Sequence, residues 1–176
     1  MFETKNLIIR PSEWGDLNDF FAWEQMPEVT EFFSIRDGQT MEDVVRKYVS
    51  DDNEPSARQF TILLKGEGEP KKIGRIVLGD IEEGWKAEIW RIYIADTALR
   101  GKGYGKEAME AIMAYCFDEL KLERLYLDHY TGNPASYLYL SLGFQYEGVL
   151  RKNCRKNGIL YDVHLMSMLR DEYYNT

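Results

Sequence analysis

The chain has 176 residues, 44% of them hydrophobic, enough for one packed core, and its 30 acidic against 22 basic side chains give a net charge of −8. That balance argues against a nucleic-acid binder, which needs a basic face, and leans toward cationic partners. With no apolar run approaching the roughly 18 residues of a membrane helix, and only two separated cysteines and two histidines, a single cytoplasmic domain over 1–176 is expected, with no membrane span, disulfide framework or metal site.

Residues 7–10, LIIR, read as a first strand stopped at Pro11. In DLNDFFAWEQ (16–25), Leu17, Phe20, Phe21 and Trp23–Glu24 recur at helical spacing, and Pro27 is expected to end the run. A second helix is predicted from about Met41 to Val49, with Thr40 as N-cap and Asp43 at the capping-box position. RQFTILLK (58–65) and KIGRIVLG (72–79) flank the turn-rich GEGEPK and predict a hairpin. KAEIWRIYIA (86–95) adds a β-branched, aromatic strand. A glycine loop then leads into YGKEAMEAIMAYCFDEL, whose Ala108, Ala111, Ile112, Tyr115 and Cys116 share one helical face. RLYLDHY is a further strand. Asn133-Pro134 opens a short helix, with Asn as N-cap and Pro at the first helical position, and Gly143 closes it. Two last strands turn about Asn157-Gly158, the signature of a type I′ turn. The order β-α-α-β-β-β-α-β-α-β-β predicts an α/β (α+β) fold on a mixed sheet, partly antiparallel through hairpins and partly parallel through crossovers.

The loop LRGKGYGKEA (99–108) carries the chemistry. It is not a Walker loop, which would need Gly at Arg100 and Ser or Thr at Glu107. Nor is it a dinucleotide fingerprint: Lys106 stands where one register needs glycine, and the other, ending at Ala108, lacks the acidic ribose partner. What remains is a strand, Arg100-x-x-Gly103-x-Gly105, and a helix. Glycines let backbone N–H groups approach an anion, and the helix aims its unsatisfied N–H groups and positive dipole end at the same point. Lys102 and Lys106 add charge. The bland alternative is a glycine turn with solvated lysines.

Arg100-Gly101-Lys102-Gly103-Tyr104-Gly105 resembles the acetyl-CoA pyrophosphate loop of the GNAT acyltransferases, Gln/Arg-x-x-Gly-x-Gly/Ala. NPASYLYLSLGFQYEG resembles that family's second signature, and GFQYEGVLR with NGILYDVHLMSML resembles its ribosomal-protein N-terminal and spermidine acetyltransferase branch. The resemblance spans nearly the whole chain, is specific over 86–169 and is weaker before 58. It implies a mostly antiparallel twisted sheet flanked by helices and splayed near its middle, an acceptor-side portion over about 1–57 and an acetyl-CoA portion over about 86–145. Acetyl-CoA is the implied cosubstrate. The implied acceptor is a primary amine, either a small molecule (a polyamine or an aminoglycoside-like compound) or a protein N-terminus. A homodimer is common among relatives.

Carried over by motif, the backbone N–H groups from Gly101 to Lys106 hold the pyrophosphate. Tyr93-Ile94-Ala95 pairs with the pantetheine arm as an added strand would, and Asn133 touches the same arm, a role compatible with its being a plain N-cap. The resemblance makes Tyr139 the general acid, with Tyr137 its nearest competitor and an aromatic core position its bland reading. Glu88 is the candidate base, directly or through water, although a strand glutamate is more often solvated and bulk water is an alternative acceptor of the proton. A backbone N–H within 92–95 is the expected oxyanion donor. Glu28, Glu31 and Asp162 are candidates to bind a cationic acceptor, and Trp85, Trp90, Phe32 and Phe33 to line its pocket. The competing class is a CoA-binding sensor or interaction domain without turnover.

Overall fold

The fold is seen in a computed structural model that describes residues 1–175. Its strands are β1 (Phe2–Glu3), β2 (Leu7–Pro11), β3 (Arg58–Leu64), β4 (Lys71–Glu82), β5 (Lys86–Ile94), β6 (Arg124–Tyr130), β7 (Gln145–Lys156) and β8 (Ile159–Leu169). They form one sheet in the order β1-β2-β3-β4-β5-β6-β8-β7. Every neighbouring pair is antiparallel except β5 and β6. That parallel pair is brief: Lys86 faces Arg124, Ala87 faces Leu125, Glu88 faces Tyr126, and there the pairing stops. Beyond Glu88 the strands diverge, which is the central splay.

Strand β5 is also bulged. Val77 pairs with Arg91 and Leu78 with Ile89, so Trp90 is the extra residue. Gly79 makes this possible, because a Cβ there would sit 1.9 Å from the Trp90 ring. Gly74 is required for a similar reason: its Cβ would meet the Tyr93 carbonyl at 2.2 Å.

Helices α4 (Tyr104–Ala114) and α5 (Ala135–Ser141) cover one face of the sheet. Ala108, Met109, Ile112 and Met113 of α4, with Cys116 and Phe117 just after it, are buried in the main core beside Ile89, Leu125 and Leu127. Apolar residues at that helical spacing must be covered, and the sheet covers them. Helices α1 (Leu17–Trp23), α2 (Pro27–Thr30) and α3 (Met41–Asp52) gather at the N-terminal side. There Leu17, Phe20, Val44 and Tyr48 form a second, smaller core. The Thr40–Asp43 capping box closes as expected, with the Asp43 N–H donating to Thr40 Oγ1 at 3.2 Å.

Three expectations need correction. Pro27 does not merely end a helix; it occupies the first turn of α2, where its missing N–H costs nothing. The strand β2 includes Pro11 rather than stopping before it. Helix α5 begins at Ala135, with Pro134 in the cap position and Asn133 one residue further out. The short β1, α2 and the C-terminal helix α6 (Arg170–Tyr174) were not anticipated. The closing hairpin turns as predicted, with Asn157 at φ 50° and Gly158 at φ 80°, both positive as a type I′ turn demands.

Candidate active site

The splay creates a cavity of about 720 Å³ that passes through the sheet. On the α2 and α3 side its wall includes Glu28, Glu31, Phe33 and Lys47. In its throat Trp90 and Ile92 of β5 face Asp128 and Tyr130 of β6, and beyond them it reaches Gly101, Gly105, Met109 and Tyr139. Backbone direction follows from one hydrogen bond: the Ala95 N–H donates to the Ile73 carbonyl at 2.8 Å. Strand alternation then turns the backbone of Tyr93 toward β4 and that of Ile92 and Ile94 into the gap. Their N–H and C=O groups have no strand partner on that side. An extended chain laid in the gap would find a ready ladder.

The glycine loop closes one end. Gly101 and Gly103 hold φ of 75° and 90°, a region that side chains disfavour, and Gly103 is the N-cap of α4. A Cβ on Gly101, Gly103 or Gly105 would meet nothing within 4 Å, so the loop borders open space at the N-terminus of an eleven-residue helix. That space and those N–H groups fit a pyrophosphate. The helix is anchored by Glu107, which accepts from the Asn6 N–H at 2.7 Å and from its side-chain amide at 2.8 Å. Arg100 donates to the Glu28 carbonyl at 2.6 Å and ties the loop to α2.

Of the residues assigned to the cosubstrate, Tyr93, Ile94, Arg100, Gly101, Gly105, Asn133 and Tyr139 line the cavity. Ala95, Lys102, Gly103, Tyr104 and Lys106 do not, and the exposed Lys106 lies 3.8 Å from Glu110 on its own helix. The Tyr93 ring is held elsewhere: its hydroxyl donates to Glu24 at 3.1 Å, and Trp23 and Phe33 flank it edge-on. Asn133 Oδ1 accepts from the Ala135 N–H at 2.9 Å, so the residue ties down the start of α5 from one position before its cap and also borders the cavity.

Tyr139 and Tyr137 separate cleanly. Tyr139 is 8% exposed and sits in the wall, whereas Tyr137 is 77% exposed on the outer face of α5. Burial first, and then the Asp128 carboxylate, push the Tyr139 phenol up to about 12, so it stays protonated at neutral pH. Glu88 stands at the last paired position of β5 and does not line the cavity; it accepts from the indole N–H of Trp90, which does, at 3.2 Å. Burial, then Asp128 and Asp80, push its carboxyl up to about 7.

Asp128 itself lies in the wall and was missed from sequence. It is raised above the usual carboxylate range by burial, against which His129 acts. The signal was there in alternation, since Tyr126, Asp128 and Tyr130 fall on the face opposite Leu125 and Leu127. Glu28 and Glu31 are exposed at the cavity mouth, and Phe32, Phe33 and Trp90 line it. Asp162 does not: it is exposed, outside the cavity wall, and accepts from the Lys152 N–H at 2.7 Å, where it holds an irregular stretch of β7. Trp85 is likewise remote, on the β4–β5 turn, with Lys86 over its ring at 4.4 Å. Among the described residues no group of three or more His, Cys, Asp or Glu is placed to hold a metal, and no helix is long and apolar enough to cross a membrane.

Comparison with known proteins reaches the same region of the chain. The sequence pattern of the acetyltransferase (GNAT) domain matches residues 6–145. An uncharacterized N-acetyltransferase, p20 of Bacillus licheniformis, is 31% identical, over 97% of this chain and 96% of its own. The spermidine N(1)-acetyltransferase of Vibrio cholerae is 25% identical, over 96% of each chain. The crystal structure of spermidine N-acetyltransferase from Vibrio cholerae in complex with CoA and spermine superposes with a TM-score of 0.84 at 26% identity, covering 98% of this chain and all of the other.

Proposed function

The chain belongs to the acetyltransferase (GNAT) family, and from that premise we propose that it moves the acetyl group of acetyl-CoA to a primary amine by direct attack in a ternary complex. The observation that carries this reading is the cavity through the sheet, with the glycine loop at one end, acidic residues at the other, and Asp128 and Tyr139 between. The neighbour solved with CoA and spermine supports both the cosubstrate and a small-molecule amine as acceptor.

Acetyl-CoA supplies the activated acyl group as a thioester. The loop N–H groups and the α4 N-terminus hold the pyrophosphate, and the free edge of β5 at Ile92 and Ile94 takes the pantetheine arm. A β5 N–H facing the gap is aimed where negative charge develops on the thioester oxygen. The amine enters as an ammonium and Asp128, the carboxylate in the wall, takes its proton, with Glu88 coupled to it electrostatically from outside the lining; a carboxyl near 7 is suited to hold a proton passed on at neutral pH. The amine nitrogen attacks the carbonyl carbon, the C–S bond breaks and the Tyr139 hydroxyl protonates the departing thiolate; the second proton, shed by the nitrogen as the amide forms, returns to the Tyr139 oxygen. No covalent enzyme intermediate is required.

The test is free-thiol release from acetyl-CoA across polyamines, aminoglycosides and N-terminal peptides, with the acetylated product identified by mass. Amine-dependent release with a matching acetylated product is expected. Intact CoA binding with no amine stimulating release would overturn the reading in favour of a non-catalytic CoA-binding domain.

A further inference from the structure

Beside the cavity mouth lies a second pocket of about 620 Å³, which shares Ser34, Lys47 and Arg91 with the first. Its other charged walls are Arg36, Arg155 and Asp37. Four cations and one carboxylate thus line a depression on a chain whose net charge is −8. The acids that pair with these cations are not in the pocket wall: Asp43 holds Arg36 at 2.6 Å, Asp51 holds Lys47, and Glu24 holds Arg91 at 2.7 Å. Glu24 also serves Arg75 at 2.9 Å, so one carboxylate faces two guanidinium groups. Arg155 has no ion pair among the described residues. The one acid of the wall, Asp37, already accepts from the Asn157 side-chain amide at 2.9 Å, and Asn157 Oδ1 accepts from the Asp37 backbone N–H at 3.0 Å. Those two bonds pin the β7–β8 turn to the loop after α2, so Arg36 and Arg155 are brought together by the fold itself.

We infer that the acceptor of the proposed reaction is a primary amine bearing a carboxylate, with the amine directed to Asp128 and the carboxylate held by Arg155, beside Arg36. The inference rests on the transferase reading above and narrows its acceptor. A polyamine would bring positive charge up to Arg155, which has no acid partner among the described residues to offset it, and like charges there are unfavourable. An amine with a carboxylate at the far end matches both charge regions, Glu28, Glu31 and Asp128 on one side and the arginines on the other. Guanidinium forks suit a carboxylate because they donate two parallel bonds to its two oxygens.

The experiment uses the full-length enzyme and measures kcat/KM for α- and ω-amino acids of increasing length, each against its own amide, with spermidine in the same series and rates compared at equal free-amine concentration. The carboxylate form is expected to exceed its amide by about ten-fold or more at the best chain length, the ratio of one charged contact. Arg155→Gln should bring that ratio toward one by lowering the acid's kcat/KM more than the amide's. Amides or spermidine turning over as well as or better than the acids would overturn the inference and leave the transferase reading standing. An acid preference left unchanged by Arg155→Gln and by Arg36→Gln would also overturn it, because the arginines would then not be its source. No release with any amine would overturn the transferase reading, and this one with it.

Discussion

At the scale of single residues, Tyr139 and Glu88 have their chemistry set by surroundings rather than by type. A phenol raised to about 12 keeps its proton throughout the neutral range, so the proton is in place when the thiolate departs. Tyr139→Phe should therefore lower kcat by about 10²-fold or more while leaving CoA affinity, measured by calorimetry, within error. Glu88 gives two signatures. The acid limb of kcat/KM against pH should fall near 7 in the parent and vanish or move in Glu88→Gln. Because its folded value is raised above the ordinary 4.5, Glu88 favours the fold at low pH, and that contribution is lost as pH rises through about 7. Thermal melts should thus show Glu88→Gln gaining on the parent between about pH 5 and pH 8, and a constant difference would contradict the burial of this carboxyl.

Elements were legible where periodicity was strong, and chemistry was legible only where a motif named it. Strands β3 to β5 follow from apolar, β-branched and aromatic runs around a turn-rich segment, the α4 face from helical spacing and the I′ turn from an Asn-Gly pair. The first helix does end before Pro27, but the helix that Pro27 starts was missed, because proline has two helical meanings, a stop inside a helix and a start at its first turn, and local sequence does not choose between them. Alternation puts Asp128 on the face opposite Leu125 and Leu127, but that this face borders a cavity depends on β5 and β6 parting after Glu88, a tertiary event with no local code. Trp85 was expected at the pocket and stands on a distant turn for the same reason. The loop offers the cleanest test at this scale. Gly105 has an ordinary φ and open space beyond its Cα, so Gly105→Ala should fold as the parent does and yet bind CoA at least several-fold more weakly. Equal CoA affinity would remove the pyrophosphate assignment. Thr40→Ala, which opens the α3 capping box, should cost about 1 kcal/mol in urea denaturation and leave CoA binding alone.

Across the whole molecule, the N-terminal helices and the sheet are joined by a buried charge cluster invisible to any one-dimensional pattern. Glu24 of the α1 end is 4% exposed and meets Arg75 of β4 and Arg91 of β5, and the Arg75 guanidinium lies over the Phe20 ring at 4.2 Å. Burial pushes the Glu24 carboxyl up, and the two guanidinium groups outweigh it, leaving it below the usual range. Residues 51 positions apart cannot announce such a contact in sequence. Removing the acid leaves Arg75 charged and buried, so Glu24→Ala should lose about 3–5 kcal/mol by urea denaturation. Glu24→Gln, which keeps an acceptor, should lose less.

The gap between β5 and β6 also has a kinetic meaning. A cavity lined by the glycine loop and by Glu28 and Glu31 gives each reactant its own region, so neither must leave before the other arrives. Double-reciprocal plots should then intersect rather than run parallel, and free CoA should compete with acetyl-CoA while only reducing the maximal rate against the amine.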